Sequence, residues 1–265
     1  MNTNICTLTY TRFKEMVSRA LTIVPKVEPR ANLKCVSMWV SGSALYVGGT
    51  DGYRAVVSVE GVDAGDHEPI SISGQYLKYQ MAEIAKADSA TLSLIDGKLR
   101  IDTTPLPGED ARHRNGSQAM ELDERWDGVK RLYEKQIMPR NAAEFDAPYC
   151  RKAMKDWPMV ERQKSKGQEM APLLVRYSPQ SVSIRAMVGT EEFPRHVLCV
   201  NPLMDDSVTM VNARWFHDSL RMFSGNAFIG TSREHVYLAD APTVQNESLR
   251  VIISALKPNA AGGRP

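Results

Sequence analysis

The run Gly48-Gly49-Thr50-Asp51-Gly52 is the first place to look for phosphate chemistry in this chain. A phosphate loop needs a Lys-Ser or Lys-Thr pair after its glycines and a helix behind them. Neither is present: the loop runs into Arg54-Ala55-Val56-Val57, a strand pattern. A hairpin whose glycines supply positive φ accounts for the glycines, but not for the order Thr-Asp-Gly-Tyr-Arg. The other reactive groups are scattered. The histidines at 67, 113, 196, 217 and 235 form no HExxH or HxH arrangement, and no GxSxG elbow presents a serine. Glu191-Glu192 and Asp205-Asp206 fall in expected loops, and neighbours on an extended chain point apart, so neither makes an acid–base pair. Cys6, Cys35, Cys150 and Cys199 lack CxxC spacing, which indicates neither zinc nor disulfides and fits a reduced, cytoplasmic setting. No catalytic residue, cofactor or metal is expected, and the chain is read as a non-enzyme.

What remains is a set of cations, and their use depends on the elements that carry them. The chain has 265 residues, 43% of them hydrophobic, and a net charge of +2. A blanket nucleic-acid binder is far more basic, so any positive field must be local. The N-terminus lacks a signal-peptide pattern, no apolar run approaches membrane-spanning length, and the tail NAAGGRP is expected to fray.

A strand at Cys6 to Tyr10 precedes a helix with Phe13, Met16, Val17 and Ala20 on one face. Strands follow near 36–40, 44–47 and 54–59, then a helix burying Leu77, Met81, Ile84 and Ala85, then two strands joined by the hairpin signal Asp96-Gly97. The second half repeats this order. A helix with Pro148 in its first turn carries Cys150, Ala153, Met154 and Trp157 inward. Strands follow at 173–177, 181–187 and 195–200, a helix burying Phe216, Leu220 and Phe223, and three last strands. Such a duplication predicts an α+β fold of two tandem domains, with helices on one face of antiparallel sheet. The boundaries expected are 1–110 and 141–265, with 111–140 as connector. Within the connector, DERWDGVKRLYEKQI has helical character that Gly128 weakens.

The polar helix faces are basic. The first carries Arg12 and Arg19 with Lys14 beside them, the second Lys78 and Lys86, the third Arg151, Lys152 and Lys155, the fourth Arg214, His217 and Arg221. Glu15, Glu83, Asp156 and Asp218 dilute the pattern. A solvated face explains any one helix; four biased alike in a nearly neutral chain suggest nonspecific backbone binding.

These residues resemble the β sliding clamp family of bacterial DNA polymerase III. Clamps carry a Thr-Asp-Gly-His-Arg stretch, and TDGYR stands at Thr50–Arg54 with Tyr53 in place of His. IMPRN at Ile137–Asn141 is similar to a clamp connector, and VNARWFHDSLRMF, NAFIGTSREHVYLAD and LRVIISAL resemble the order that closes a clamp. Clamps have three such domains and this chain has room for two; SALKP replaces the Met-Pro-Met ending of many clamps. The resemblance implies two DNA-clamp domains, duplex DNA as a sequence-independent partner, and a DNA polymerase, with a clamp loader, bound through short peptides. It implies a peptide groove of Thr50, Gly52, Tyr53, Arg54, Ala55, Pro139, Ile252 and Ile253. The DNA-facing set expected is Arg12, Arg19, Lys78, Lys86, Arg151, Lys152, Lys155, Arg214 and Arg221. Closure of a ring at six domains implies a homotrimer. A clamp-fold protein that does not encircle DNA, as monomer or decoy, stays open, as does an enzyme on a duplicated scaffold, against which the missing catalytic groups argue.

Overall fold

The computed structural model describes residues 2–26, 30–84, 86–107, 127–135, 142–155, 157, 172–178, 181–188, 191–192, 196–199, 207–242 and 246–256. The chain divides into two compact units, Met1–Gln136 and Ile137–Pro265.

In the N-terminal unit the order is β1 (Asn2–Thr9), α1 (Tyr10–Ile23), β2 (Cys35–Ser41), β3 (Ala44–Thr50), β4 (Arg54–Gly61), β5 (His67–Ser73), α2 (Gly74–Glu83), β6 (Ser89–Ile95), β7 (Lys98–Thr104) and α3 (Gly128–Lys135). The strands pair antiparallel in the orders β1-β6-β7 and β5-β2-β3-β4. Helix α1 follows its apolar spacing: Phe13, Met16, Val17 and Ala20 are all buried. It packs on β3 and β4 and also reaches β1 and β6. Pro25 lies two residues past its end, as a residue that cannot continue a helix should. Asp96 and Gly97 both take positive φ, at 50° and 77°, as the hairpin signal requires. Strand β5 has no counterpart in the sequence reading, because Pro69 argues against a strand; it sits at the outer end of its strand order, where a missing N–H is tolerated. Helix α2 stops at Glu83, short of the expected stretch, and Ala85 lies outside the described residues.

Two departures concern the helices. Helix α3 falls in the stretch read as connector, and it packs on β2, β3 and β4. Gly128 is its first residue rather than an interior break, and Val129 and Tyr133 bury against Trp39 and Val57. The rings of Trp39 and Tyr46 stack at 5.0 Å, with Tyr133 edge-on to both. The helices of this unit also do not share one face. Adjacent strand residues point to opposite sides. A Cβ on Gly49 would meet Val24 and Ala20 of the α1 end, whereas one on Gly48 would meet Val129 of α3. α1 and α3 therefore cover opposite faces of β3.

In the C-terminal unit the order is β8 (Ala143–Asp146), α4 (Ala147–Met154), β9 (Pro172–Ser178), β10 (Ser181–Val188), β11 (Glu191–Glu192), β12 (His196–Cys199), β13 (Ser207–Asn212), α5 (Ala213–Ser219) with a 3-10 turn at Leu220–Met222, β14 (Asn226–Thr231), β15 (His235–Ala239) and β16 (Leu249–Ser254). Strands pair in the orders β16-β15-β14-β8 and β10-β9-β13, with β11 and β12 both on the free side of β10. The repeat read from sequence is present in the pairing itself. β1-β6-β7 matches β8-β14-β15, and β5-β2-β3-β4 matches β13-β9-β10-β12. α3, β11 and β16 have no partner in that correspondence. Glu191-Glu192, expected in a loop, pairs with Met187 and Val188 as the short strand β11; Asp205-Asp206 and His113 lie outside the described residues.

Candidate functional site

The Thr50–Arg54 turn is closed by its own side chains. Thr50 Oγ1 donates to the Arg54 carbonyl at 2.6 Å and accepts from the Gly52 N–H at 3.0 Å. Asp51 Oδ1 accepts from the N–H groups of Tyr53 and Arg54, at 2.9 and 2.7 Å. Its second oxygen takes the Arg54 guanidinium at 2.9 Å. Gly52 has φ +87°, which an L side chain rarely adopts. Thr, Asp, Gly and Arg are thus each used by the turn itself, and no amide is turned outward in an array for phosphate. Of the three glycines, only Gly52 needs positive φ; Gly48 and Gly49 serve close helix packing. Tyr53 is the one residue of the turn left prominent, at 54% exposure.

Four of the other groove residues are buried. Ala55 is buried beside the turn, and Thr50 is buried within it. Ile252 and Ile253 are 2% and 0% exposed in β16, paired with Tyr237 and Val236. Pro139 lies outside the described residues.

The basic residues separate into two kinds. Arg12 is engaged by Glu60 at 2.6 Å, Glu15 at 2.8 Å and the Val59 carbonyl. Burial opposes its charge, but the two carboxylates hold its pKa above the ordinary value. Arg19 pairs with the same Glu15. These arginines, expected on a free basic face, bind α1 to β4 and to itself. Arg214 is paired at 3.5 Å with Asp218. Lys86 is exposed just beyond α2.

The remaining cations gather between helices, once in each unit. In the N-terminal unit a groove of about 940 Å³ runs between α1 and α2. Val17, Leu21, Val24, Met81 and Ile84 form its apolar floor, and Lys14, Lys26, Lys34 and Lys78 stand around it, with no carboxylate among the described lining residues. In the C-terminal unit a cavity of about 390 Å³ lies between α4 and the α5 turn, lined by Arg151, Lys152, Lys155, His217 and Arg221, with Pro148 and Phe223. The two are the same place in the repeat. Counted from the helix starts, Lys14 and Arg151 are both fifth in the first helix, with Ser18 and Lys155 ninth. Lys78 and His217 are both fifth in the second, with Ala82 and Arg221 ninth. Sequence reading missed Lys26 and Lys34. They stand in connecting segments, where no helical period marks a face; only the fold brings them to the groove.

Cys6 and Cys150 are buried thiols. Burial pushes Cys6 up to about 11, and burial with the Asp146 charge pushes Cys150 up to about 12. Among the described residues, no group of three or more His, Cys, Asp or Glu could hold a metal ion, and no helix is long and apolar enough to cross a membrane.

No protein-family model matches the chain, and no curated protein matches it. Solved structures do. The DNA polymerase sliding clamp of Pseudomonas aeruginosa superposes with a TM-score of 0.72 at 13% identity, over 96% of this chain and 67% of its own. The DNA polymerase III beta chain of Streptococcus pneumoniae TIGR4 gives 0.70 at 14%, over 96% and 65%. The Helicobacter pylori beta clamp gives 0.70 at 14%, over 100% and 66%. The fold is therefore that of bacterial sliding clamps, and this chain spans about two thirds of their length.

Proposed function

We propose that the chain is the subunit of a DNA sliding clamp, a non-enzymatic, cytoplasmic processivity factor that encircles duplex DNA and tethers a DNA polymerase. The observation that carries this reading is the basic groove repeated at one position in both units of a clamp fold. Lysines and arginines gathered in this way neutralise phosphates and release counterions, which gives affinity without base readout. Two clamp domains per chain close at six as a homotrimer, each contact turning through a third of a circle. Polymerase and loader peptides dock beside the Thr50–Arg54 turn, with the exposed Tyr53 ring as anchor.

The test is topological. The protein should be retained on nicked circular DNA and slide off when the circle is cut, and retention should fall steeply with salt. Replacing Lys78, Lys86, Arg151, Lys155 and Arg221 with Ala should weaken binding equally on unrelated sequences. Tyr53→Ala should weaken a polymerase-derived peptide and leave DNA retention intact. The second reading is a non-encircling clamp-fold protein acting as monomer or decoy. A monomer at all concentrations by sedimentation, with equal release from linear and circular DNA, selects it.

A further inference from the structure

The cavity between α4 and the α5 turn differs from its N-terminal counterpart in a way that a general basic face does not require. It is less than half the volume, and it holds five basic side chains among seven lining residues. Arg151, Lys152 and Lys155 make no ion pair with any described residue. Arg221 has only a 3.7 Å contact to Asp218. His217 is 5% exposed, and its Nδ1 has no hydrogen-bond partner among the described residues; Asp218 lies 3.7 Å from it. A polar ring atom buried without a partner is uncommon and costs stability. Asp218 offsets only part of this charge, and excess positive charge in a concave, partly apolar site focuses the field on whatever anion enters.

We propose that this cavity is a discrete phosphate-binding site, for a phosphate of a nucleic-acid backbone or of a free phosphate compound. Arg151 and Arg221 offer planar forks that match phosphate oxygens, the two lysines add point charges, and the His217 ring adds one donor. The N-terminal groove has Ser18 and Ala82 where this cavity has Lys155 and Arg221, and it is wider, so it attracts phosphate without seating it. Only the nucleic-acid source of the phosphate rests on the sliding-clamp reading; the site itself does not.

The imidazole signals of the full chain report the test, in titrations with inorganic phosphate and, separately, with an oligothymidylate. His217 should move saturably while His235 stays put. Arg151→Gln and Arg221→Gln, both at exposed positions that spare the core, should each raise the apparent Kd by roughly tenfold. A response to the oligonucleotide at lower phosphate concentration than to the free ion assigns the backbone as source; the reverse order assigns a free phosphate compound. Movement of His217 that never saturates, or that equal ionic strength of sodium chloride reproduces, overturns the site. A silent His217 on a chain that is retained on circular DNA removes the site and leaves the clamp reading. A saturating His217 on a chain that never holds DNA does the opposite.

Discussion

Helices α1 and α2 of the N-terminal unit and α4 and α5 of the C-terminal unit hold equivalent places and are stabilised differently. α1 has 14 residues and α2 has 10; neither Thr9 nor Ser73 makes a side-chain cap bond. α4 has eight and α5 seven, and both are capped. Asp146 accepts from the Tyr149 N–H, and Asn212 accepts from those of Arg214 and Trp215. A short helix has few internal hydrogen bonds to offset its unpaired first turn, so capping matters more to it. A long one can rely on its buried face. The fourth residue of the first helix makes the contrast plain: Phe13, fully buried, in α1 and Cys150 in α4. One architecture therefore tolerates a large or a small core side chain at the same site when the helix end is secured another way.

The largest effect should come from that position. Phe13→Ala should cost about 4 kcal/mol and Cys150→Ala about 1 kcal/mol, because the cavity scales with the volume removed. Equal losses in urea unfolding would break the contrast. Next come the thiols. At pH 8 a thiol near 11 or 12 is almost wholly protonated, so Cys6 and Cys150 should alkylate at least about a hundredfold more slowly than a free thiol, Cys150 the slower. Both folded pKa values are raised above the ordinary 9.0. Their contribution to stability is complete below that pH and declines as pH rises toward 11 and 12. Alkylation of Cys150 at the rate of an exposed thiol would show that α4 opens readily.

The caps are smaller. Asp146→Ala and Asn212→Ala should each cost about 1 kcal/mol, against a few tenths at most for Thr9→Ala and Ser73→Ala. Amide exchange in the first turns would locate the loss. The smallest effect concerns the first residue of β15, His235, where the equivalent β7 has Lys98. Burial lowers the His235 pKa below 6.5, with Glu234 opposing. Its neutral form contributes stability above pH 6.5 that is lost as pH falls through the folded value. His235→Gln should remove that acid-side drop from thermal melts; an unchanged drop would assign it elsewhere.

Much of this is legible in the residues. The spacing of Phe13, Met16, Val17 and Ala20 fixes α1 and its buried face, since a helical period leaves one arrangement for the apolar side chains. Asp96-Gly97 names its hairpin, because few residue pairs accept positive φ. The duplication is also in the sequence, as is the basic character of the helix faces. What only the tertiary structure decided is which cations are available. Arg12 and Lys14 look alike along α1, but Arg12 meets Glu60 across 48 residues whereas Lys14 borders the groove. The same holds for Lys26 and Lys34, for the opposite duties of Gly48 and Gly49, and for the burial of Ile252 and Ile253. The reason is range: periodicity and turn chemistry act over a few residues, while ion pairing and close packing depend on which distant segments the fold brings together.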